Sequence, residues 1–334
     1  MIGKARLDEA HLDEAHMDEA RVYVTLDALL RLRDNAKGFS FLPRQPVYSL
    51  LAGRHASRLR GRGLDFEELR HYAEGDDTRT IDWSATARLA TPYVRVFTEE
   101  RDRSVLLLVD QRLSMFFGSR RAMKSVVAAE AAALAAWRVT VLGDRVGAII
   151  FSENGIEEIR PQGRNAGVMR ILGPLVRHNN ALTARDERPS DPDLLNQALK
   201  RAASVAKHDS LVCLITDAAG ADAETVKLVT DITAHNDVLM IFVSDPLEST
   251  LPPIGRAVVA EGTEQIEVDT TASGLRRRFS ADFADRRAGI EHFSRRRAIP
   301  ILTLSTAADV SGQLREQLGQ RLAPGRRAGG RTQP

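Results

Sequence analysis

The sequence predicts an α/β protein: a doubly wound, mostly parallel sheet with helices on both faces, preceded by an irregular leader segment. Two observations carry this. First, near-continuous apolar runs recur at 104–110, 145–151, 210–217, 237–245 and 299–304. Unbroken runs of this kind suit parallel strands that are buried on both faces. Second, helices with clean apolar stripes lie between them. Val168, Ile171, Leu172, Leu175 and Val176 follow the i, i+3, i+4, i+7, i+8 spacing, as do Leu194, Leu195, Ala198, Leu199, Ala202 and Ala203. The alternation of strand and helix argues for a doubly wound sheet, and right-handed crossovers place helices on both of its faces.

The 334 residues allow one large domain or two small ones. Apolar residues make up 43%, enough for a packed core. The 47 basic and 45 acidic residues leave a formal charge of +2, which gives no general attraction to nucleic acid or membrane. No apolar run approaches the roughly 18 residues that span a bilayer. The first twenty residues lack the apolar core of a signal peptide. The expectation is a cytoplasmic protein with no membrane span and no nucleic-acid partner. The single cysteine, Cys213, excludes an intramolecular disulfide and a cysteine-rich zinc site. Its place within SLVCLIT predicts a buried, inert thiol.

Residues 1–20 hold a pentad repeat, RLDEA, HLDEA, HMDEA. A period of five suits neither a helix face nor a strand face. His11 and His16 stand beside carboxylates and could ligate a metal; a solvated helical or disordered extension is the simpler account. Residues 26–32, LDALLRL, have the pattern of a short amphipathic helix. Residues 38–60 carry Gly, Pro and Arg with little period and suggest a loop-rich connection. Residues 21–103 are therefore expected as a leader, ahead of a sheet domain over 104–322. Within that domain, 256–261 and 265–270 suggest a hairpin turning near Gly262. Leu275, Phe279, Phe283, Ile290 and Phe293 mark a long helix. Its basic clusters (Arg276, Arg277 and Arg278; Arg286 and Arg287; Arg295, Arg296 and Arg297) could meet phosphates. Asp282, Asp285 and Glu291 interleave with them, as on a solvated face. Residues 323–334 have a tail's composition and are expected to be disordered.

Ligands of open α/β sheets bind beyond the carboxyl ends of the strands. Three acids stand there: Asp110, Asp217 and Asp245. Strand-end acids also act as caps, so the trio alone does not define a site. The stretch 61–102 is more specific. Gly75, Asp76, Asp77, Arg79, Ile81, Asp82, Trp83, Ala87 and Arg88 fit the pattern G-D-D-x-R-x-I-D-W-x-x-x-A-R. Residues 75–77 suggest a turn, and Asp82 an N-cap for a short helix through Arg88. Asp76, Arg79, Asp82, Arg88 and Arg95 could form a charge-paired network. Such a network either docks the leader on the sheet domain or offers a surface to a partner. Trp83 suits a core anchor better than a ligand platform.

These residues resemble the bacterial "domain of unknown function 58" family, with similarity over residues 40–320. In that family a leader precedes a von Willebrand factor A-like domain, so the resemblance implies that form of doubly wound sheet. It also implies a metal-binding motif, D-x-S-x-S, completed by a threonine from a second loop and an aspartate from a third. Such oxygens hold one hard divalent cation, usually magnesium. Asp110, Ser114 and Asp217 match three positions. Arg112 stands where the first serine should be, and Pro192, Asp193, Leu194 replace the threonine text. Ser190 or Thr183 could stand in for it. Asp191 is expected to cap the helix that follows, with Pro192 at its first position. A guanidinium beside the ion position repels a divalent cation, and it can itself bridge Asp110 and Asp217. A bound magnesium and an Arg112 turned to solvent are the other two arrangements. The expectation is a degenerate site, unoccupied by metal, and no other cofactor.

The sequence contains no P-loop, no G-x-G-x-x-G after a strand, no G-x-S-x-G and no H-E-x-x-H. No Cys–His pair is placed for nucleophilic catalysis. Family members typically lie beside AAA+ ATPases of the MoxR type and are thought to act with them as adaptors. The resemblance thus implies a non-enzymatic protein-interaction module, partnered with such an ATPase, with Arg112, Ser114 and Asp217 as contact candidates. The alternative is a metal-dependent phosphoester or nucleotide hydrolase using Asp110 and Asp217. The lack of a general base and the positive charge at the metal position argue against it.

Overall fold

The structure is a computed structural model that describes residues 22–36, 64–73, 78–99, 103–184, 186, 188, 191–261 and 264–320. The pentad repeat, the whole of the 38–60 connection, the 75–77 turn and the 323–334 tail lie outside the described residues. The chain divides into two units, Pro43–Asp102 and Met1–Leu42 with Arg103–Pro334. The expected leader, 21–103, is therefore split. Its first helix, α1 (Leu26–Asn35), belongs to the sheet unit.

In the smaller unit, β1 (Leu64–His71) pairs antiparallel with β2 (Tyr93–Glu99). Between them Asp82 caps α2 (Trp83–Leu89), as its sequence position predicts. Its Oδ1 accepts from the N–H groups of Ser84 (2.9 Å) and Ala85 (3.0 Å). Arg88 Nε donates to the Ser84 carbonyl; Asp76 and the Arg95 side chain lie outside the described residues. Trp83 corrects an expectation: it is 70% exposed and anchors no core. The helix is two turns long, and the residue it buries is Ala85.

In the sheet unit every predicted apolar run forms a strand: β3 (Ser104–Asp110), β4 (Arg145–Ser152), β6 (Leu211–Thr216), β7 (Asp237–Ser244) and β10 (Ile301–Ser305). A further strand, β5 (Gly155–Gly163), pairs antiparallel with β4 and gives the order β10-β7-β6-β3-β4-β5. All other pairings are parallel. β5 escapes the apolar-run criterion because Glu157, Glu158, Arg160 and Pro161 interrupt it. An edge strand tolerates both charges and proline. Gly147 sits at the register shift opposite it, where a Cβ would lie 2.6 Å from the Ile159 carbonyl oxygen.

The period-two alternation of a strand explains why β3 has no polar face. Val105, Leu107 and Val109 pack into one layer with α3 (Lys124–Val141), α4 (Arg164–Asn180) and α9 (Val310–Gln320). Leu106 and Leu108 pack into the other, with α5 (Asp193–Val205) and α6 (Ala223–Thr233). Each such leucine contributes on the order of 2 kcal/mol by leaving water. α3 is buried almost end to end and apolar all round, so it shows no stripe. α1 covers it: Trp137 Nε1 donates to the Leu29 carbonyl (3.1 Å). The Val24 N–H donates to Asn179 Oδ1 (2.8 Å) on α4.

The remaining elements are α7 (Pro246–Ser249), the hairpin β8 (Arg256–Glu261) and β9 (Glu264–Asp269), and α8 (Ser273–Arg297). Hairpin and long helix both match the sequence expectation. Among the described residues no helix is long and apolar enough to cross a membrane.

Candidate functional site at the sheet switch point

Strand order decides where the site lies. From β3 the chain crosses to β4 on one side, then returns across β3 to β6 on the other. The loops after β3 and β6 therefore diverge, and the crevice between them is the switch point of the sheet. Asp110 ends β3 and Asp217 follows β6, so both carboxylates face that crevice, 0% and 2% exposed.

Arg112 folds back onto Asp110. Its Nε lies 3.0 Å from Oδ1 and its Nη2 2.7 Å from Oδ2, a two-pronged contact. The Arg112 backbone N–H also donates to Oδ1 (3.0 Å), and Thr216 Oγ1 donates to Oδ2 (2.6 Å). The Asp110 carboxylate is thus saturated. Nη2 reaches on to the Ala219 carbonyl (3.1 Å), and the guanidinium carbon stands 5.6 Å from the centre of the Phe151 ring. Arg112 is 1% exposed, which excludes the arrangement in which it turns to solvent. Burial works against its charge, but the Asp110 carboxylate more than offsets this and its pKa is raised.

The bridge to Asp217 differs from the expected one. Arg112 Nη2 stops 3.9 Å from Asp217 Oδ1, an ionic contact without a hydrogen bond. The partner of Asp217 is Lys124, the first residue of α3, whose Nζ lies 2.7 Å from Oδ2 and 2.7 Å from Glu248 Oε1. Desolvation opposes the charge of both groups. Their mutual attraction prevails, holding the Lys124 ammonium above its usual range and the Asp217 carboxyl below its own. The stripe criterion passes over Lys124 because a lysine at a helix start normally reaches water. The one available signal is that it opens an eighteen-residue helix otherwise almost free of charge.

Asp245 is a structural acid. Its carboxylate accepts from the Ser119 N–H and hydroxyl, the Leu247 N–H and the Thr306 hydroxyl. It caps α7, whose Glu248 returns a bond to the Asp245 N–H (2.9 Å). The three strand-end acids are therefore linked in a chain, Asp110 to Asp217 through Arg112 and Asp217 to Asp245 through Lys124 and Glu248, rather than gathered round one point. Glu153 closes the other flank, where both of its oxygens accept from the Leu113 N–H at 2.9 Å; burial raises its pKa.

Ser114 lies in the short turn Leu113–Met115. Its Oγ is buried and has no hydrogen-bond partner among the described residues. Pro192 packs against the loop after β6, where a Cβ on Gly220 would lie 2.7 Å from the Pro192 Cβ. That loop needs Gly220, whose φ is +74°. The helix begins at Asp193, one residue later than expected. Pro192, not Asp191, takes the N-cap position, and Asp191 stands one residue before it with its Oδ1 accepting from the Asp193 N–H at 2.9 Å. Ser190 lies outside the described residues.

This donor set does not fit magnesium. A hard divalent ion needs oxygen ligands free to coordinate it. Here both carboxylates are committed to buried cations, and no group of three or more His, Cys, Asp or Glu among the described residues is placed to hold a metal. Cys213 is buried in β6 and its thiol is pushed up to about 12 by desolvation.

A family model described as "Protein of unknown function DUF58" matches residues 68–289, two thirds of the chain and all of this crevice. The chain belongs to the DUF58 family. The DUF58 chain is 28% identical over 273 residues to the uncharacterized proteins Mb1516 of Mycobacterium bovis and Rv1480 of Mycobacterium tuberculosis, covering 80% of this chain and 82% of each relative. Among solved structures it overlaps with "conserved hypothetical protein BatB from Bacteroides thetaiotaomicron". The TM-score there is 0.36 at 13% identity, over 65% of this chain and 99% of that one.

Proposed function

We propose that this DUF58 protein is a non-enzymatic, cytoplasmic interaction module of the von Willebrand factor A-like kind, an adaptor for an AAA+ ATPase of the MoxR type. The observation that carries the non-enzymatic part is the pairing of Asp110 with Arg112 and of Asp217 with Lys124. A carboxylate saturated by a buried cation is neither a free general base nor a metal ligand. The strand-end rim then serves as a contact surface, with Arg112, Ser114 and Asp217 at its floor and the loops around them as its walls. The ATPase comes from the family resemblance of residues 61–102.

Co-purification with a MoxR-type ATPase tests the reading. Arg120 is exposed in the loop after β3, and Arg120→Glu reverses a charge of the rim while leaving the buried ion pairs of its floor intact. The expected result is weakened co-purification from a variant with a wild-type melting profile. Retention of the ATPase by Arg120→Glu would move the contact off this loop of the rim. Magnesium-dependent turnover of phosphoesters or nucleotides, abolished by Asp110→Asn, would favour the hydrolase alternative instead.

A further inference from the structure

The six-stranded sheet ends in two edge strands, and different devices protect them. β5 carries Glu157, Glu158, Arg160 and Pro161, charges and a proline that discourage an added strand. β10, at the other edge, consists of Ile301, Leu302, Thr303, Leu304 and Ser305, with no charge and no proline. In a parallel ladder a residue turns its N–H and its C=O to the same side, and successive residues alternate sides. The Pro300 carbonyl and the Thr306 N–H both bond to β7. Thr303 and Ser305 therefore point their main-chain groups away from the sheet.

Two glutamines of α9 take those groups. Gln317 Oε1 accepts from the Thr303 N–H (2.9 Å), and its Nε2 donates to the Thr303 carbonyl (2.6 Å). Gln313 does the same for Ser305, at 2.8 Å and 3.0 Å. A carboxamide has the donor and the acceptor of a peptide group, so each side chain stands in for one residue of a seventh strand. The spacing permits it, since four helix residues advance about 6.0 Å and two strand residues about 6.6 Å. Val310, Leu314 and Leu318 hold the helix against the core alongside. We propose that Gln313 and Gln317 close β10 to strand addition, and that the strand they exclude is β10 of a second copy. Two identical edges related by a two-fold axis meet antiparallel. Centred on Thr303, that pairing sets Ile301 against Ser305 and brings no charge between the copies. The inference does not rest on the proposed function.

The test is the mass of the full chain in solution, read by sedimentation velocity beside wild type, with the circular dichroism spectrum as the folding control. Q313A/Q317A removes both carboxamides and keeps a good helix former at each position. Its particle should have about twice the wild-type mass, as a two-fold pairing requires. A peptide of residues 300–306, N-methylated at Leu302 and Leu304, keeps one pairing edge and loses the other. Adding it should return the mass to the wild-type value. Q313E/Q317E loses the same donors to the two carbonyls but sets carboxylates at the edge, so it should keep the wild-type mass. A folded Q313A/Q317A of wild-type mass overturns the inference, since the helix alone would then bar the edge. Association of both double variants overturns it too, since lost stability would then be the cause. So does a Q313A/Q317A dimer that the peptide leaves intact. If Q313A/Q317A does not fold, the single variants Q313A and Q317A should bind the peptide where wild type does not, and no binding to either overturns the inference as well.

Discussion

Lys124 Nζ lies 2.7 Å from Asp217 Oδ2, whereas Arg112, the cation conspicuous in the sequence, comes no nearer than 3.9 Å to that carboxylate. The crevice is therefore organised by two cations, each with its own acid. Arg112 holds Asp110 and Lys124 holds Asp217, with Glu248 as a second acceptor for the ammonium. Removing one member of a buried pair strands the other, and this asymmetry makes the arrangement testable.

Arg112→Ala should be destabilised by ~3–5 kcal/mol, because Asp110 keeps its burial and loses its counter-charge. The double variant D110N/R112M should recover much of that loss, since no uncompensated charge remains. Urea unfolding of the two variants beside wild type measures both values. A single variant with wild-type stability would show that the pair contributes nothing.

Lys124→Met should lose a similar ~3–5 kcal/mol at neutral pH and respond to acid in the opposite sense from wild type. In wild type the folded pKa of Asp217 is lowered. Its contribution is complete above the unfolded value of ~3.9 and is lost as pH falls through the folded value. The folded pKa of Lys124 is raised, so its contribution is complete below ~10.4 and lost as pH rises through the folded value. Without the ammonium, burial favours protonated Asp217, and the variant should gain stability as pH falls from about 7 to about 5. Thermal melts across that range decide it; parallel curves for the two proteins would refute the pairing.

Magnesium added to the wild-type protein should give no saturable heat in calorimetry, because both carboxylates already carry a cation. R112S/K124A returns a serine to the first loop and frees both acids, so it should acquire a magnesium signal that Asp110→Ala then removes. A micromolar wild-type site sensitive to Asp110→Ala would contradict the geometry.

Much of the fold was legible because it depends on local periodicity. A strand buried on both faces must be apolar at every position, as in β3 and β6, and a helix packed on one side must carry a stripe, as in α4 and α5. The Asp82 cap was legible for the same reason, since its bonds reach only two and three residues ahead. Where the environment departs from those templates the signal fails. β5 is an edge that admits charges, and α3 is enclosed on all sides and shows no stripe. Trp83 sits on a helix too short to bury it.

The sequence by itself determined the α/β class, the strand-end positions of Asp110 and Asp217, and the presence of a cation at Arg112 where an oxygen ligand was expected. Tertiary structure alone decided the pairings. Lys124 and Asp217 are 93 residues apart, and Thr216 and Asp110 are 106 apart. No periodicity or motif spacing links such positions. They meet because the return across β3 to β6 puts two loops at one crevice, with the start of α3 beneath it. Burial there makes each charge depend on the partner that strand order delivers.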